Sequence, residues 1–194
     1  MRLIAITGGI GSGKSVVSRV LQVMGYPVYD CDSQAKRLML QDDDVRRQLT
    51  EAFGSATYLA DGSINRSYLS EVAFANQAAR STLNQIVHPA TARDLGCWAD
   101  QQRRDGAEMA FVETALLRTA GLDRVVDDVW HVTAPETVRI QRVMARNGFT
   151  ASQVKSRIAS QSAEEEVAPG EHLLVNDGDS PLLVQIMQLI HQYE

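Results

Sequence analysis

The residues with the clearest chemical meaning lie near the amino terminus, in the stretch GGIGSGKS at positions 8–15. This stretch matches the pattern G-x-x-x-x-G-K-[ST], in which glycines let backbone N–H groups surround a phosphate. The lysine of the pattern reaches the β- and γ-phosphates and its last hydroxyl binds Mg²⁺, roles that fall here to Lys14 and Ser15. A glycine-rich turn without a ligand is the alternative. The pattern predicts a nucleoside triphosphate with Mg²⁺.

Two carboxylates follow the next strand-like run. Asp30 and Asp32 flank Cys31, and in an extended segment both would face the same side. Beside a bound nucleotide they could accept a proton from an attacking hydroxyl or hold metal-bound water. The alternative is helix capping, with Asp32 as the N-cap of the following helix. Because a kinase needs its acceptor group near the γ-phosphate, we expect at least one of the two carboxylates to take part in the reaction.

Glu113 and His88 are further candidates for the functional site, and for each of them a purely structural role is also open. Glu113 closes a third apolar run, where proteins with this loop keep an acid that orients Mg²⁺ through water. An ordinary charge at a strand end explains Glu113 equally well, and whether Asp30 or Glu113 orients the metal's waters stays open. His88 precedes Pro89 between two helical patterns. It could contact an acceptor, although a structural histidine is the commoner case.

Three arginines have helical spacing late in the chain. Arg139, Arg142 and Arg146 lie at i, i+3 and i+7, so one helix would present them on one face. Such a face is typical of a mobile cationic lid that closes on a polyphosphate. A solvated surface is the alternative. With the phosphate loop present, the lid is the hypothesis we prefer.

Five short apolar runs are predicted as the strands that position these groups, at 3–7, 27–29, 109–112, 129–132 and 173–175. Helices are predicted after the loop to Met24, from Pro135 through the arginines, and from 181 to 193. The stretch 33–104 is largely helical, with breaks at 54–63 and at Pro89. These elements predict a three-layer α/β fold with a mainly parallel five-stranded sheet and a helical insertion. Ligands of such folds bind at the carboxyl ends of the strands, where the loop and the acids lie.

Composition narrows the class of protein. The chain has 194 residues, of which 44% are hydrophobic and 22% charged, values typical of a globular domain. A net charge of −5 argues against a general nucleic-acid binder. Cys31 and Cys97 are too far apart for a CxxC redox motif or a metal-ligand pair. We see no signal peptide and no apolar run of membrane-spanning length, so we expect a cytoplasmic protein.

Missing motifs separate the classes that share this loop. The chain contains no N-K-x-D tetrapeptide of the kind that GTPases use for guanine. It is also smaller than a motor or transport ATPase. Acids after the second strand and an arginine-rich late helix favour a kinase that phosphorylates a nucleoside or another small metabolite.

Seven segments, in order over nearly the whole chain, resemble the dephospho-CoA kinase family: ITGGIGSGKS, PVYDCDSQAKRL, LADGSINRSYL, IVHP, ETALL with AGLD, RIQRVMARNG and VNDGDSPL. The resemblance implies the fold of P-loop nucleoside-triphosphate hydrolases. It also implies a phosphotransferase that uses ATP and Mg²⁺ to phosphorylate the ribose 3′-hydroxyl of dephospho-CoA, the last step of coenzyme A synthesis. The implied organisation is a core at 1–32, 105–140 and 170–194, an acceptor-binding insertion at about 33–104 and a lid at about 141–169.

The resemblance also implies roles for individual residues. Asp32 corresponds to the base that activates the acceptor, and Lys14 and Arg142 join it as catalytic residues. His88 and Arg142 are implied acceptor contacts, as is Asp32. Ser15 and Glu113 are implied at the metal. The implied ATP contacts are Gly11, Ser12, Gly13, Lys14, Ser15, Val16, Arg146 and Asn176.

Four positions depart from the family's usual pattern. Val16 stands where a threonine or serine is common, and Ala115 and Thr119 replace a proline and a glutamate. Glu164 begins a run that lacks the arginine of many relatives. The loop lysine and Asp32 are kept, so we expect activity, from a monomer or weak homo-oligomer. The alternatives are a kinase of another small metabolite or nucleoside, and a non-catalytic nucleotide-binding regulator.

Overall fold

The computed structural model describes residues 1–73 and 75–193, and it confirms the predicted α/β fold with a parallel sheet. The five strands are β1 (Arg2–Thr7), β2 (Val28–Asp30), β3 (Met109–Glu113), β4 (Asp128–Thr133) and β5 (His172–Val175). Their order across the sheet is β2-β3-β1-β4-β5. Each predicted apolar run therefore forms a strand.

The register of the sheet aligns the strand ends that carry the candidate residues. Ile6 of β1 lies opposite Glu113 of β3 on one side and Trp130 of β4 on the other. Because all three strands run in the same direction, the loop after β1 and the carboxylate at the end of β3 lie at the same edge of the sheet. Residues 3–7 of β1 are all buried, as expected for a central strand covered by helices on both faces.

Three of the helices in the described residues, α2, α3 and α7, begin at a side-chain cap. Asp42 accepts a hydrogen bond from the Val45 N–H at the start of α3, and Thr150 with Gln153 forms a capping box at the start of α7. Short 3₁₀ helices lie at Ser55–Thr57 and Leu122–Arg124. The α-helices are α1 (Lys14–Val23), α2 (Cys31–Gln41), α3 (Asp43–Phe53), α4 (Arg66–Ala73), α5 (Gln77–Arg104), α6 (Glu136–Asn147), α7 (Ala151–Ser160), α8 (Ser162–Glu165) and α9 (Leu182–Ile190).

Backbone packing divides the chain into two compact units. The first unit contains Met1–Tyr29 and the chain from Gln101, and its core joins the sheet to α1 and α9. The largest buried side chains of this core are Trp130 and Phe111, whose ring centroids lie 5.1 Å apart. Burial of such aromatic surface is a main source of stability for a domain of this size.

The second unit, Asp30–Asp100, is built from α2 to α5 up to its boundary. Leu38, Val45, Leu49 and Ala90 form its buried cluster. Within the predicted break at 54–63, the Tyr58 hydroxyl donates a 2.6 Å hydrogen bond to the Met39 carbonyl of α2. Among the described residues, no helix is long and apolar enough to cross a membrane.

Two predicted helix boundaries are wrong. A break was expected at Pro89, yet α5 runs without interruption from Gln77 to Arg104 with Pro89 inside it. Proline removes one intrahelical hydrogen bond, but burial of Val87, Ala90 and Thr91 holds the flanking turns in helical form. The closing helix was expected to reach residue 193, whereas α9 ends at Ile190 and is followed by a turn.

Candidate active site

The phosphate loop connects β1 to α1 and places the start of α1 at Lys14. Gly13 is the residue before the helix, and its φ of 103° lies in the left-handed region that favours glycine. A β-carbon at Gly13 would also lie only 1.9 Å from Nδ2 of Asn176. Both the positive φ and the lack of space for a β-carbon therefore favour glycine at position 13. It leads directly into the first turn of α1, whose N–H groups favour an anion.

The Lys14 side chain folds back over its own loop. Its Nζ donates hydrogen bonds to the carbonyl oxygens of Gly8, at 2.7 Å, and Gly9, at 3.3 Å. These contacts hold the ammonium group against the backbone of the loop. A polyphosphate bound to the loop would meet a positive charge that is already in place.

One predicted site residue, Asn176, is hydrogen-bonded to the loop, and a second, Arg142, is hydrogen-bonded to Asn176. Asn176 follows β5, and its Nδ2 donates to the Ser12 carbonyl at 2.9 Å. Arg142 of α6 donates from Nη1 to the Asn176 carbonyl, also at 2.9 Å. Arg146 lies in the last turn of α6, where it is exposed and donates to Asn147. Arg142 and Asn176 therefore lie beside the loop.

The residues predicted at the metal have the chemistry that Mg²⁺ prefers. Ser15 offers a hydroxyl in the first turn of α1, and Glu113 a carboxylate at the end of β3. Mg²⁺ at phosphate sites keeps several waters and takes only one or two protein oxygens. Among the described residues, no three His, Cys, Asp or Glu side chains are grouped so that they could hold a metal ion. Ser15 and Glu113 fit the ion.

The pair Asp30 and Asp32 differs from the prediction. The strand β2 ends at Asp30 and α2 begins at Cys31, so Asp32 lies in the first helical turn and not in an extended segment. The alternative, Asp32 as the N-cap, is also wrong, because Asp30 fills that role. Its Oδ1 accepts from the N–H groups of Asp32, at 3.0 Å, and Ser33, at 3.3 Å. The Asp32 side chain is exposed.

The second unit contains a cavity of about 760 Å³ between α2, α4 and the turn at residues 63–64. Its lining combines apolar side chains with three cations, Lys36, Arg37 and Arg66. Arg37 is paired with Asp94 at 2.6 Å. His88 lies half-buried on α5 of the same unit. The apolar part of the lining is formed by Met39, Leu40, Ile64, Leu69 and Leu83.

The first unit holds loop contacts that the sequence analysis missed. The Ile10 N–H donates to Oε1 of Gln161 at 2.9 Å, and the Ile10 carbonyl accepts from Nε of Arg139 at 2.9 Å. The Arg139 guanidinium also forms a two-pronged ion pair with Glu165, with Nη1 2.8 Å from Oε2. The prediction of one cationic face for the three arginines is therefore wrong for Arg139, which is 6% exposed.

A signal for this contact was present in the sequence. Arg139 lies four residues before the buried Val143 on α6, so it occupies the buried face of that helix. A charged residue on a buried face needs a partner of opposite charge. The i, i+3 and i+7 spacing places residues on one face of a helix but does not say whether that face is exposed or buried. The arginine pattern alone therefore did not reveal the burial of Arg139.

Glu164, one of the departures from the family pattern, has a structural role. Its carboxylate is buried and accepts hydrogen bonds from the N–H groups of Arg118, at 3.0 Å, and Thr119, at 2.7 Å. The acid thus anchors the segment after β3 to the end of α8. In the run that lacks the arginine of many relatives, the first acid therefore binds two backbone N–H groups.

A buried histidine lies on β4. The His131 imidazole is almost inaccessible to solvent, and its Nδ1 is 3.5 Å from Oε2 of Glu171. Burial lowers the pKa of His131 below its usual value, although the negative charge of Glu171 acts in the opposite direction. The neutral imidazole is therefore the favoured form in the folded protein.

Comparison with known proteins gives a consistent result. The model of the dephospho-CoA kinase family matches residues 2–181. The dephospho-CoA kinase of Bacteroides fragilis is 36% identical over 188 residues, which cover 96% of this chain and 90% of that protein. That of Salinibacter ruber is 40% identical over 179 residues, covering 92% and 90%. The crystal structure of TT1252 from Thermus thermophilus matches with a TM-score of 0.78 and 29% identity, covering 98% and 95%.

Proposed function

The chain belongs to the dephospho-CoA kinase family, and from that premise we propose that it transfers the γ-phosphoryl group of ATP to the ribose 3′-hydroxyl of dephospho-CoA. The products are coenzyme A and ADP. The observation that carries the proposal is the phosphate loop, with Lys14 held over it, Asn176 bonded to its backbone and Arg142 bonded to Asn176. During transfer the acceptor oxygen bonds to the γ-phosphorus as the bond to the β,γ-bridging oxygen breaks.

The first unit supplies the groups that bind and stabilise the polyphosphate. The N–H groups of the loop and of the first turn of α1 contact the phosphates, and Lys14 balances the charge at the β- and γ-positions. Arg142 adds a second positive charge from α6, and Arg146 and Asn176 contribute to the nucleotide site. Bound Mg²⁺, held by Ser15 and by Glu113 through water, would neutralise charge on the phosphates.

The second unit supplies the base. Asp32 accepts the proton that leaves the 3′-hydroxyl, and its exposed position makes its carboxylate available to an acceptor. Asp30 is unsuited to this role because its oxygens already accept the N–H groups and the hydroxyl at the start of α2. The neighbouring aspartates are thereby assigned different functions, one chemical and one structural.

The cavity of the second unit suits the acceptor. Dephospho-CoA combines a diphosphate with a long, largely uncharged arm, and the cavity combines cations with an apolar lining. Lys36 and Arg66 would contact the diphosphate, while Leu40 and Leu69 pack against the arm. His88 is a further acceptor contact. We propose a cytoplasmic enzyme, a monomer or weak homo-oligomer, without a nucleic-acid partner.

The test is release of ADP from Mg-ATP with a panel of acceptors that contains dephospho-CoA, nucleosides and gluconate. We expect turnover with dephospho-CoA and none above the hydrolysis background with the others. Turnover of a nucleoside or gluconate alone would indicate a kinase of another metabolite. Binding of ATP, measured by calorimetry, without ADP release for any acceptor would indicate a regulator.

A further inference from the structure

The phosphate loop is held at Ile10 by two side chains from the later part of the chain. Ile10 has a single N–H and a single carbonyl to offer, and both are used: Gln161 accepts from the first and Arg139 donates to the second, each at 2.9 Å. Loops at surfaces ordinarily give these groups to water. Here two side chains that are 22 positions apart hold the two peptide groups that flank Ile10 in a defined orientation.

The neighbouring Gly9 is shaped by the same contact. A β-carbon at Gly9 would lie 2.1 Å from Oε1 of Glu165 and 2.3 Å from Nη2 of Arg139. Gly9 is outside the group of glycines with positive φ, so its backbone is open to other residues and only space excludes a side chain. The three nearest atoms all belong to the ion pair. Glycine at position 9 therefore makes room for Arg139 and Glu165.

The ion pair also lies beside a residue whose carbonyl contacts the loop lysine, so it would lie in the field of the phosphates of a nucleotide bound to the loop. The Gly9 carbonyl accepts from Nζ of Lys14, the residue that contacts the β- and γ-phosphates in this type of loop. The Glu165 carboxylate next to Gly9 would repel those phosphates if it were unpaired. At separations of a few ångströms and partial burial such a charge is only weakly screened. Arg139 cancels the charge and at the same time holds the Ile10 carbonyl.

We propose that Arg139, Glu165 and Gln161 are positioning residues for phosphoryl transfer, which hold the loop at Ile10 ready for ATP and keep its surroundings electrically neutral. None of the three needs to touch the reacting atoms. The role rests on the proposed use of ATP. This positioning role predicts that the loss of nucleotide affinity differs between substitution of Arg139 and substitution of Glu165.

The experiment compares Arg139→Gln, Glu165→Gln and the double variant by calorimetric titration with ATP and ADP. Arg139→Gln leaves Glu165 unpaired beside the loop, so we expect ATP affinity to fall roughly tenfold to a hundredfold. Glu165→Gln leaves a positive charge tethered to Ile10, so its loss is expected to be severalfold at most. The double variant should bind ATP more tightly than Arg139→Gln, because removal of the carboxylate removes the repulsion.

Kinetics and matched controls separate this role from a general loss of structure. The KM for ATP should follow the calorimetric order, while the KM for dephospho-CoA stays within about twofold of wild type. Glu166→Gln, which removes an exposed charge next to the ion pair, should leave both constants unchanged. Gln161→Leu removes only the acceptor for the Ile10 N–H, and we expect an intermediate loss of ATP affinity.

Gly9→Ala tests the steric part of the proposal. We expect it to weaken ATP binding in the wild-type background and to have little effect in an Arg139→Ala/Glu165→Ala background, where the clashing atoms are gone. Gly96→Ala, at an exposed helical site with nothing within 4 Å, is the control. Equal losses of ATP affinity in Arg139→Gln and Glu165→Gln, with no recovery in the double variant, would overturn the proposal. Wild-type ATP binding by all of these variants would overturn it as well. The expected order of ATP affinities together with absent turnover of dephospho-CoA by the wild-type protein would instead count against the proposed function alone.

Discussion

The proposed ligand sites of the two units are built differently, one from backbone groups and the other from side chains. In the first unit the backbone of residues 8–15 is itself the proposed binding surface, and Gln161, Arg139 and Asn176 hold its carbonyl and N–H groups. In the second unit side chains line the cavity on a scaffold of helices. A site made from backbone demands fixed residue types at fixed spacing, whereas a site made from side chains allows many combinations. The first unit should therefore be much less tolerant of substitution.

The largest effect is expected at Lys14. In Lys14→Ala the loop loses the charge that meets the β- and γ-phosphates, so ATP affinity and kcat should both fall, and kcat/KM for ATP should fall about 10³-fold or more. Steady-state kinetics with Mg-ATP and a titration with ADP measure the two losses. Arg124→Ala, at an exposed position of the 3₁₀ helix Leu122–Arg124, is the control and should behave as wild type. Normal ATP affinity in Lys14→Ala would contradict the assignment of the loop.

The next effect separates the two aspartates at the start of the second unit. Asp32→Asn removes the proposed base, so kcat should fall by roughly 10²–10⁴-fold while ATP affinity is kept. Asp30→Ala removes the cap of α2, so the free energy of unfolding should fall by about 1 kcal/mol. Stopped assays and urea unfolding measure the two quantities. An unchanged kcat in Asp32→Asn would show that a residue other than Asp32 accepts the proton of the 3′-hydroxyl.

A smaller effect is expected in the cavity of the second unit. Arg66→Ala removes one cation from its lining, so the KM for dephospho-CoA should rise about tenfold with the KM for ATP unchanged. Arg80→Ala, an exposed arginine of α5 outside the cavity lining, is the matched control. A rise in the KM for ATP without one for dephospho-CoA would contradict the separation of roles between the units.

The smallest effect concerns pH and the core of the first unit. Because the folded pKa of His131 is lowered from an unfolded value of about 6.5, the unfolded chain takes up a proton first as the pH falls. Stability from His131 is thus present above pH ~6.5 and is lost as the pH falls towards the folded pKa. His131→Gln should be less stable than wild type at pH 8, and the difference in urea midpoint should shrink at pH 5.5. A constant difference would contradict the lowered pKa.

The contrast between the units also explains what the sequence could predict. The strands were predictable because buried parallel strands are short, apolar and β-branched, and the loop because its chemistry requires glycines and a lysine at set spacing. The contact between Ile10 and Gln161 spans 151 positions, and no local pattern encodes it. Pro89 and Asp32 were misjudged for a related reason. Burial of Val87 and Ala90 keeps α5 helical, and capping by Asp30 decides where α2 begins.

The most direct test of the central claim follows the transferred phosphoryl group itself. Dephospho-CoA and Mg-ATP are incubated with the protein, and ³¹P nuclear magnetic resonance with mass spectrometry identifies the products. We predict equal amounts of ADP and of an acceptor that carries one new phosphate monoester on its ribose 3′-oxygen, which is chemically identical to coenzyme A. Release of inorganic phosphate with unmodified dephospho-CoA, or phosphorylation at another hydroxyl, would contradict it.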